Sequence, residues 1–197
     1  MYNCIFSAHC LQLTCDKSCP TLAETSYLLE RNNLSMNNPV FHQDMKYINY
    51  YMGRIEDAAG RVSVLVAQNT SAAADVLTYC AICKHWKGSQ LHCTIYNLRY
   101  SRYLELLKQS WTTKQEPEEL EYMRIWSASA KVLIISNVDY VNFGDFESQT
   151  LLNILQSRSD PDRSTIVVTP DIANLVGKGM FFDLLKRRFR SERGDLT

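Results

Sequence analysis

The 197-residue sequence lacks several features that would narrow its function at once. It has no apolar run of the about 18 residues that a membrane span requires. Its N-terminus, residues 1–10, has no basic segment before an apolar core, so it does not resemble a secretory signal. Its 21 basic and 21 acidic residues balance, so no net charge attracts it to nucleic acid or to a membrane surface. We therefore predict a cytoplasmic protein without membrane contact.

The composition is that of an ordinary globular protein. Apolar residues make up 46% and charged residues 21% of the chain, so a disordered chain is excluded. A chain of this length can bury one substantial core with a small additional module. The one concentrated basic stretch is Lys186-Arg187-Arg188-Phe189-Arg190.

Four of the seven cysteines lie within the first 20 residues: Cys4, Cys10, Cys15 and Cys19. Disulfides are disfavoured in the cytoplasm, whereas four thiolates this close together suit zinc or an iron–sulfur cluster. The alternative is a set of cysteines that pack as small apolar residues. We favour a metal site, with zinc and an iron–sulfur cluster both open, and predict a metal-binding N-terminal module over residues 1–39.

The remainder, residues 40–197, alternates between helical and strand patterns. Helices are predicted at about 41–58, 72–86, 101–110, 145–158 and 181–190, and strands at about 62–66, 91–96, 131–139 and 164–170. Continuous apolar runs such as Val132–Ile135 are typical of strands that are covered on both faces. The pattern predicts an α/β domain with a doubly wound parallel sheet.

The ends of three predicted strands carry small or polar residues: Ala67–Ala74, Ser136–Asn137 and Thr169–Pro170. In a parallel sheet these segments meet at the carboxyl edge, where α/β proteins bind their ligands. We therefore expect the candidate site at this edge.

The first of these segments has the strand–loop–helix layout of a phosphate-binding P-loop. A working loop reads G-x-x-x-x-G-K-[ST], and the matching positions here are Ala67, Ala72, Ala73 and Ala74. Alanine supplies neither the lysine that reaches the phosphates nor the hydroxyl that binds magnesium. The layout of a nucleotide site is present, and its chemical groups are missing.

Residues 41–190 resemble the ATPase domain of helicase loaders of the DnaC/DnaI type, within the AAA+ class of P-loop ATPases, and the related transposition ATPases. The resemblance rests on the order of elements and on four segments. Val132–Ile135 is similar to the second nucleotide motif and Leu152–Arg158 to the segment that follows it. Ser164–Pro170 is similar to the sensor strand, and Leu184–Phe189 to the segment with the arginine finger.

The resemblance also identifies what the chain has lost. The two acids of the second nucleotide motif align with Ser136 and Asn137, which carry no charge. Asp139 follows a few positions later, where we expect it to point elsewhere. The resemblance makes Arg187 and Arg188 candidates for an arginine finger or a phosphate contact, including contact with DNA; the alternative is a basic helix end that favours the helix dipole.

The sequence thus predicts a protein that neither hydrolyses nor tightly binds ATP. The resemblance implies a non-catalytic, pseudo-ATPase adaptor in phage or mobile-element DNA replication. Its expected partners are a replicative helicase or an active AAA+ ATPase. Two alternatives stay open: an iron–sulfur, redox-responsive regulator, and a structural subunit of a transposition or defence complex.

Overall fold

The fold is taken from a computed structural model. It describes residues 27–34, 45–87, 95–158, 162–171, 189–191 and 194–195. No helix in these segments is long and apolar enough to cross a membrane.

The described residues form an α/β fold. The helices are α1 (Met45–Asp57), α2 (Thr70–Lys87), α3 (Tyr100–Thr113), α4 (Glu118–Ser129) and α5 (Asp145–Gln156). The strands are β1 (Val62–Val66), β2 (Ile95–Arg99), β3 (Val132–Ser136), β4 (Ser164–Thr169), β5 (Phe189–Ser191) and β6 (Gly194–Asp195). Residues 27–31 add one short helical turn.

The strands pair in the order β2-β3-β4-β1-β5-β6. The first four in that order are all parallel, β5 also runs parallel to β1, and β6 pairs with β5 in the antiparallel sense. The central strand β1 is therefore held on both sides by strands from the second half of the chain. Val62, for example, pairs with Thr165 on β4 and with Phe189 on β5.

Alternating side chains of the strands fill two cores on opposite faces of the sheet. On the first face, Ile134 packs in a cluster with residues of α1 and α2. On the second, Leu133 and Ile135 pack in a cluster with residues of α3, α4 and α5. The predicted α/β architecture, a parallel sheet between helices, is confirmed.

Residues 27–34, which the sequence assigned to the N-terminal module, pack within this α/β core. Leu29 and Leu34 are fully buried in the cluster on the first face. The Asn32 side chain covers the free edge of β2: its Nδ2 donates to the carbonyl oxygen of Ile95 at 3.2 Å, and its Oδ1 accepts from the amide of Asn97 at 2.7 Å. The predicted boundary near residue 39 lies outside the described residues.

Three local features mark the ends of the helices. Gly60, at φ 68°, follows α1 in a backbone conformation that glycine adopts without strain. Lys114, at φ 55°, terminates α3 in the left-handed region. The Glu147 carboxylate accepts from the amide of Gly144 at 3.0 Å and so caps the start of α5.

The end of the predicted last helix is wrong. Its predicted range reached Arg190, but Phe189 and Arg190 lie in strand β5, which pairs with β1. Phe189 and Arg190 are compatible with either a helix or a strand, and only the pairing with β1 selects the strand.

Arg158 connects several elements at the amino edge of the sheet, and only 2% of its surface is exposed. Its guanidinium donates to Ser127 O at the end of α4 at 2.7 Å, to Ser164 O at 3.0 Å and to Thr165 Oγ1 at 2.8 Å. Burial, reinforced by nearby Arg163, lowers the pKa of this guanidinium to about 10. It therefore stays charged at neutral pH.

Candidate functional site

The polar ends of three strands meet at the carboxyl edge, as the sequence predicted. The amide of Ala67, directly after β1, donates to Thr169 O at the end of β4 at 3.0 Å. Ser71 Oγ, in the first turn of α2, donates to Asn137 Oδ1 after β3 at 3.3 Å. The chain leaves β1 towards the first face and β3 towards the second, an arrangement that places a ligand crevice at this edge in open α/β sheets.

The connection between β1 and α2 is short. β1 ends at Val66 and α2 begins at Thr70, so only residues 67–69 lie between them. Ala72, Ala73 and Ala74, which the P-loop pattern places in and just after the loop, lie in the first turns of the helix. Ala73 and Ala74 are buried in the core on the first face, where they help α2 pack against the sheet.

Three backbone amides of this corner have partners within the protein. The amide of Ala72 donates to Asn69 Oδ1 at 3.0 Å, an N-cap contact of α2, and the amide of Ala73 donates to Asn69 O at 3.0 Å. The amide of Ala67 donates to β4, as described above. A P-loop binds phosphate with free backbone amides, and here these three are satisfied within the protein.

Asp139 reaches the N-terminus of α2, contrary to the expectation that it points elsewhere. Thr70 Oγ1 lies 3.1 Å and 3.2 Å from the two carboxylate oxygens of Asp139 and donates to this carboxylate. A negative charge here is favoured by the positive end of the helix dipole. The contact joins the start of α2 to the segment that follows β3.

The two residues aligned with the lost acids have separate structural roles. Ser136 is buried, and its Oγ donates to Asn97 Oδ1 on β2 at 2.7 Å. Asn137 has a left-handed backbone, with φ 58°, a conformation that asparagine tolerates better than most residues. The turn at Asn137 redirects the chain after β3, and Asp139 follows two residues later.

Several predicted site residues lie outside the described residues. They are the cysteines Cys4, Cys10, Cys15 and Cys19 and the arginines Arg187 and Arg188. Within the described part of the chain, no group of three or more histidine, cysteine, aspartate or glutamate residues could hold a metal ion. Cys80, on α2, is fully buried in the core on the first face.

Sequence reasoning missed two of the contacts described here. Thr70 occupies one of the unspecified positions of the P-loop pattern, so nothing in the pattern marked its hydroxyl as a partner of Asp139. Asn97 sits in an otherwise apolar strand, and a polar residue there could have indicated a buried hydrogen bond. The carboxyl edge brings together hydroxyls, amides and carboxylates that mainly bond to one another.

Comparison with models of known protein families gives no match, and comparison with curated proteins finds no relative of this chain.

Proposed function

We propose that the protein is a non-catalytic, ATPase-like adaptor that acts through protein contacts. The observation that carries the proposal is the closed corner at the start of α2. Its loop has three residues, its amides at Ala67, Ala72 and Ala73 are satisfied, and the Asp139 carboxylate lies at the helix N-terminus. These contacts favour a corner of P-loop-like layout that does not bind phosphate.

Electrostatics supports the same conclusion. A nucleotide phosphate would have to approach the Asp139 carboxylate, and no lysine of the corner would offset the repulsion between the two negative groups. Phosphoryl transfer depends on such positive charges and on a bound magnesium ion. The start of α2 therefore argues against phosphoryl transfer, and we propose that the domain acts by contacting another protein.

The first expected result is the absence of nucleotide binding. Titration of the purified protein with a fluorescent ATP analogue and Mg²⁺ should give no saturable signal, with Kd above about 1 mM. No phosphate release should be detected above a buffer control. Asp139→Asn removes the repelling charge and serves as the informative variant: it should still not bind, because the backbone amides remain engaged.

A micromolar affinity of the unaltered protein for ATP, or a phosphate release that Thr70→Ala abolishes, would overturn the proposal. Thr70→Ala leaves the N-cap contacts of Asn69 intact. A change in this variant would therefore identify the Thr70–Asp139 pair as part of a working site.

The biological setting that we propose is phage or mobile-element DNA replication, and it rests on the resemblance to helicase loaders. The partner is then a replicative helicase or an active AAA+ ATPase. Size-exclusion chromatography of the protein with the purified replicative helicase of its source should show a co-migrating complex that forms without nucleotide. Separate elution at micromolar concentrations of both proteins would contradict this partner.

We further propose that Cys4, Cys10, Cys15 and Cys19 bind one metal centre in an N-terminal module that contacts the partner. Protein purified without oxygen should contain either about one zinc ion per chain or an iron–sulfur cluster with a visible absorption band. Replacement of Cys10 and Cys15 by serine should abolish the metal content, whereas Cys80→Ser should not. Protein that is purified without oxygen and contains neither zinc nor an iron–sulfur cluster would exclude the metal centre.

A further inference from the structure

A groove of about 400 Å³ lies on the second face of the protein, away from the carboxyl-edge site. It runs between α4 and α5, with α3 contributing Tyr103 and Leu107. Phe146 and Ile154 of α5 complete its apolar lining. Its volume is within the range of small-molecule sites, and two of its five apolar side chains are aromatic.

The groove offers hydrogen-bond donors. Asn153 Oδ1 accepts from Gln149 Nε2 at 2.9 Å, a bond that orients the amide and leaves its nitrogen able to donate to a ligand. Thr150 contributes a hydroxyl and Arg124 a guanidinium. A ligand group that accepts hydrogen bonds therefore suits the part of the groove formed by Asn153, Thr150 and Arg124.

The charge of the groove favours an anion. None of its lining residues is acidic, and Arg124 is the one charged residue among them. Arg124 pairs with Glu116 at 2.7 Å, but both side chains are more than 40% exposed. Such a pair contributes little, so the guanidinium can bind a second carboxylate at small cost.

Two more arginines add positive charge beside the groove. Arg158 donates to Ser127 O and Arg163 donates to Ala128 O. Ser127 and Ala128 both line the groove. The carbonyl oxygens at the negative end of α4 are thereby neutralised. Among the described residues, Arg158 has no carboxylate partner, so its buried positive charge acts on the adjacent groove.

We propose that this groove is a binding site for a small aromatic carboxylate. The ring packs between Tyr103 and Phe146, and the carboxylate accepts hydrogen bonds from Arg124, Asn153 and Thr150. This site is distinct from the carboxyl edge and does not depend on the adaptor function, so either proposal can fail without the other.

The test uses two probes that share one ring system, 2-naphthoate and the neutral 2-naphthylmethanol. In ¹⁵N–¹H correlation spectra, naphthoate should shift the amides of Arg124, Thr150 and Asn153 saturably. The neutral probe should bind about fivefold or more weakly, because the carboxylate makes charge-assisted hydrogen bonds. Equal affinities of the two probes, shifts confined to other regions, or no saturable shift would each overturn the proposal.

Variants locate the site. Arg124→Gln and Asn153→Asp should each weaken naphthoate binding about fivefold or more, since the first removes a cation and the second adds an anion at the rim. Both positions are exposed, so the fold should persist, and spectral dispersion checks this. Arg99→Gln removes the same charge from an exposed position outside the groove and should leave binding unchanged. Unchanged binding in both groove variants would refute the site.

Discussion

Arg158→Ala should lower the free energy of unfolding by about 3–5 kcal/mol, because it removes three hydrogen bonds to buried acceptors. These are the carbonyl oxygens of Ser127 and Ser164 and the hydroxyl of Thr165. The truncation also opens a cavity between α4, α5 and β4. Since the whole fold is stable by only about 5–15 kcal/mol, this single change could approach the limit of folding.

Urea denaturation followed by circular dichroism measures this loss, which corresponds to a fall in Tm of roughly 10 °C or more for a chain of this size. Arg158→Lys keeps the charge but cannot reach three acceptors at once, so it should lose an intermediate amount. Arg163→Ala is the matched control: its half-buried side chain donates to Ala128 O, and its removal should cost about 1 kcal/mol. Equal effects at the two positions would contradict the role of Arg158.

Asn32→Asp should destabilise the protein by about 3 kcal/mol at neutral pH, because it places a carboxylate against buried carbonyl oxygens. In the native protein, Asn32 Nδ2 donates to Leu28 O at 2.7 Å as well as to Ile95 O. A carboxylate has no hydrogen to donate to either acceptor, and it repels both. The shape of the side chain is unchanged, so the effect isolates hydrogen bonding and charge.

The loss in Asn32→Asp should depend on pH. Burial raises the folded-state pKa of the introduced carboxyl above its unfolded value of about 3.9. The destabilisation is therefore smallest below about pH 4 and grows as the pH rises through the raised pKa. Unfolding measured at about pH 4 and pH 7, always relative to the unaltered protein, tests this sign.

Asn33→Asp makes the same chemical change at the next residue, which is exposed. It should change stability by less than about 0.5 kcal/mol at either pH. A comparable loss in both variants, or a loss in Asn32→Asp that does not vary with pH, would show that Asn32 does not cover the β2 edge as described.

Much of the fold could be predicted because its strands and helices carry strong local signals. β3 and β4 are continuous apolar runs with polar ends, and such runs specify buried strands regardless of their partners. β5 was missed because only pairing with β1 distinguishes it from a helix end. Asn32 was assigned to another module because nothing local shows that its amide bonds a strand more than 60 residues later.

The candidate site was predictable in position and less so in detail. Parallel strands bring their carboxyl ends to one edge, so the meeting of Ala67, Asn137 and Thr169 followed from the fold alone. Asp139, which contacts Thr70, follows the left-handed backbone of Asn137 by two residues. That conformation is accessible to many asparagines, and the sequence does not select it.

The position of β1 in the sheet has a consequence for synthesis on the ribosome. β1 is the first strand among the described residues, yet its partners β4 and β5 begin at residues 164 and 189. Its apolar residues Val62, Val64 and Leu65 therefore lack these partners until β4 has been translated. Long-range parallel pairing is slow and exposes nascent chains to aggregation. We expect truncated chains that end before β4 to bind chaperones or aggregate, and chains that include β4 and β5 to become protease-resistant.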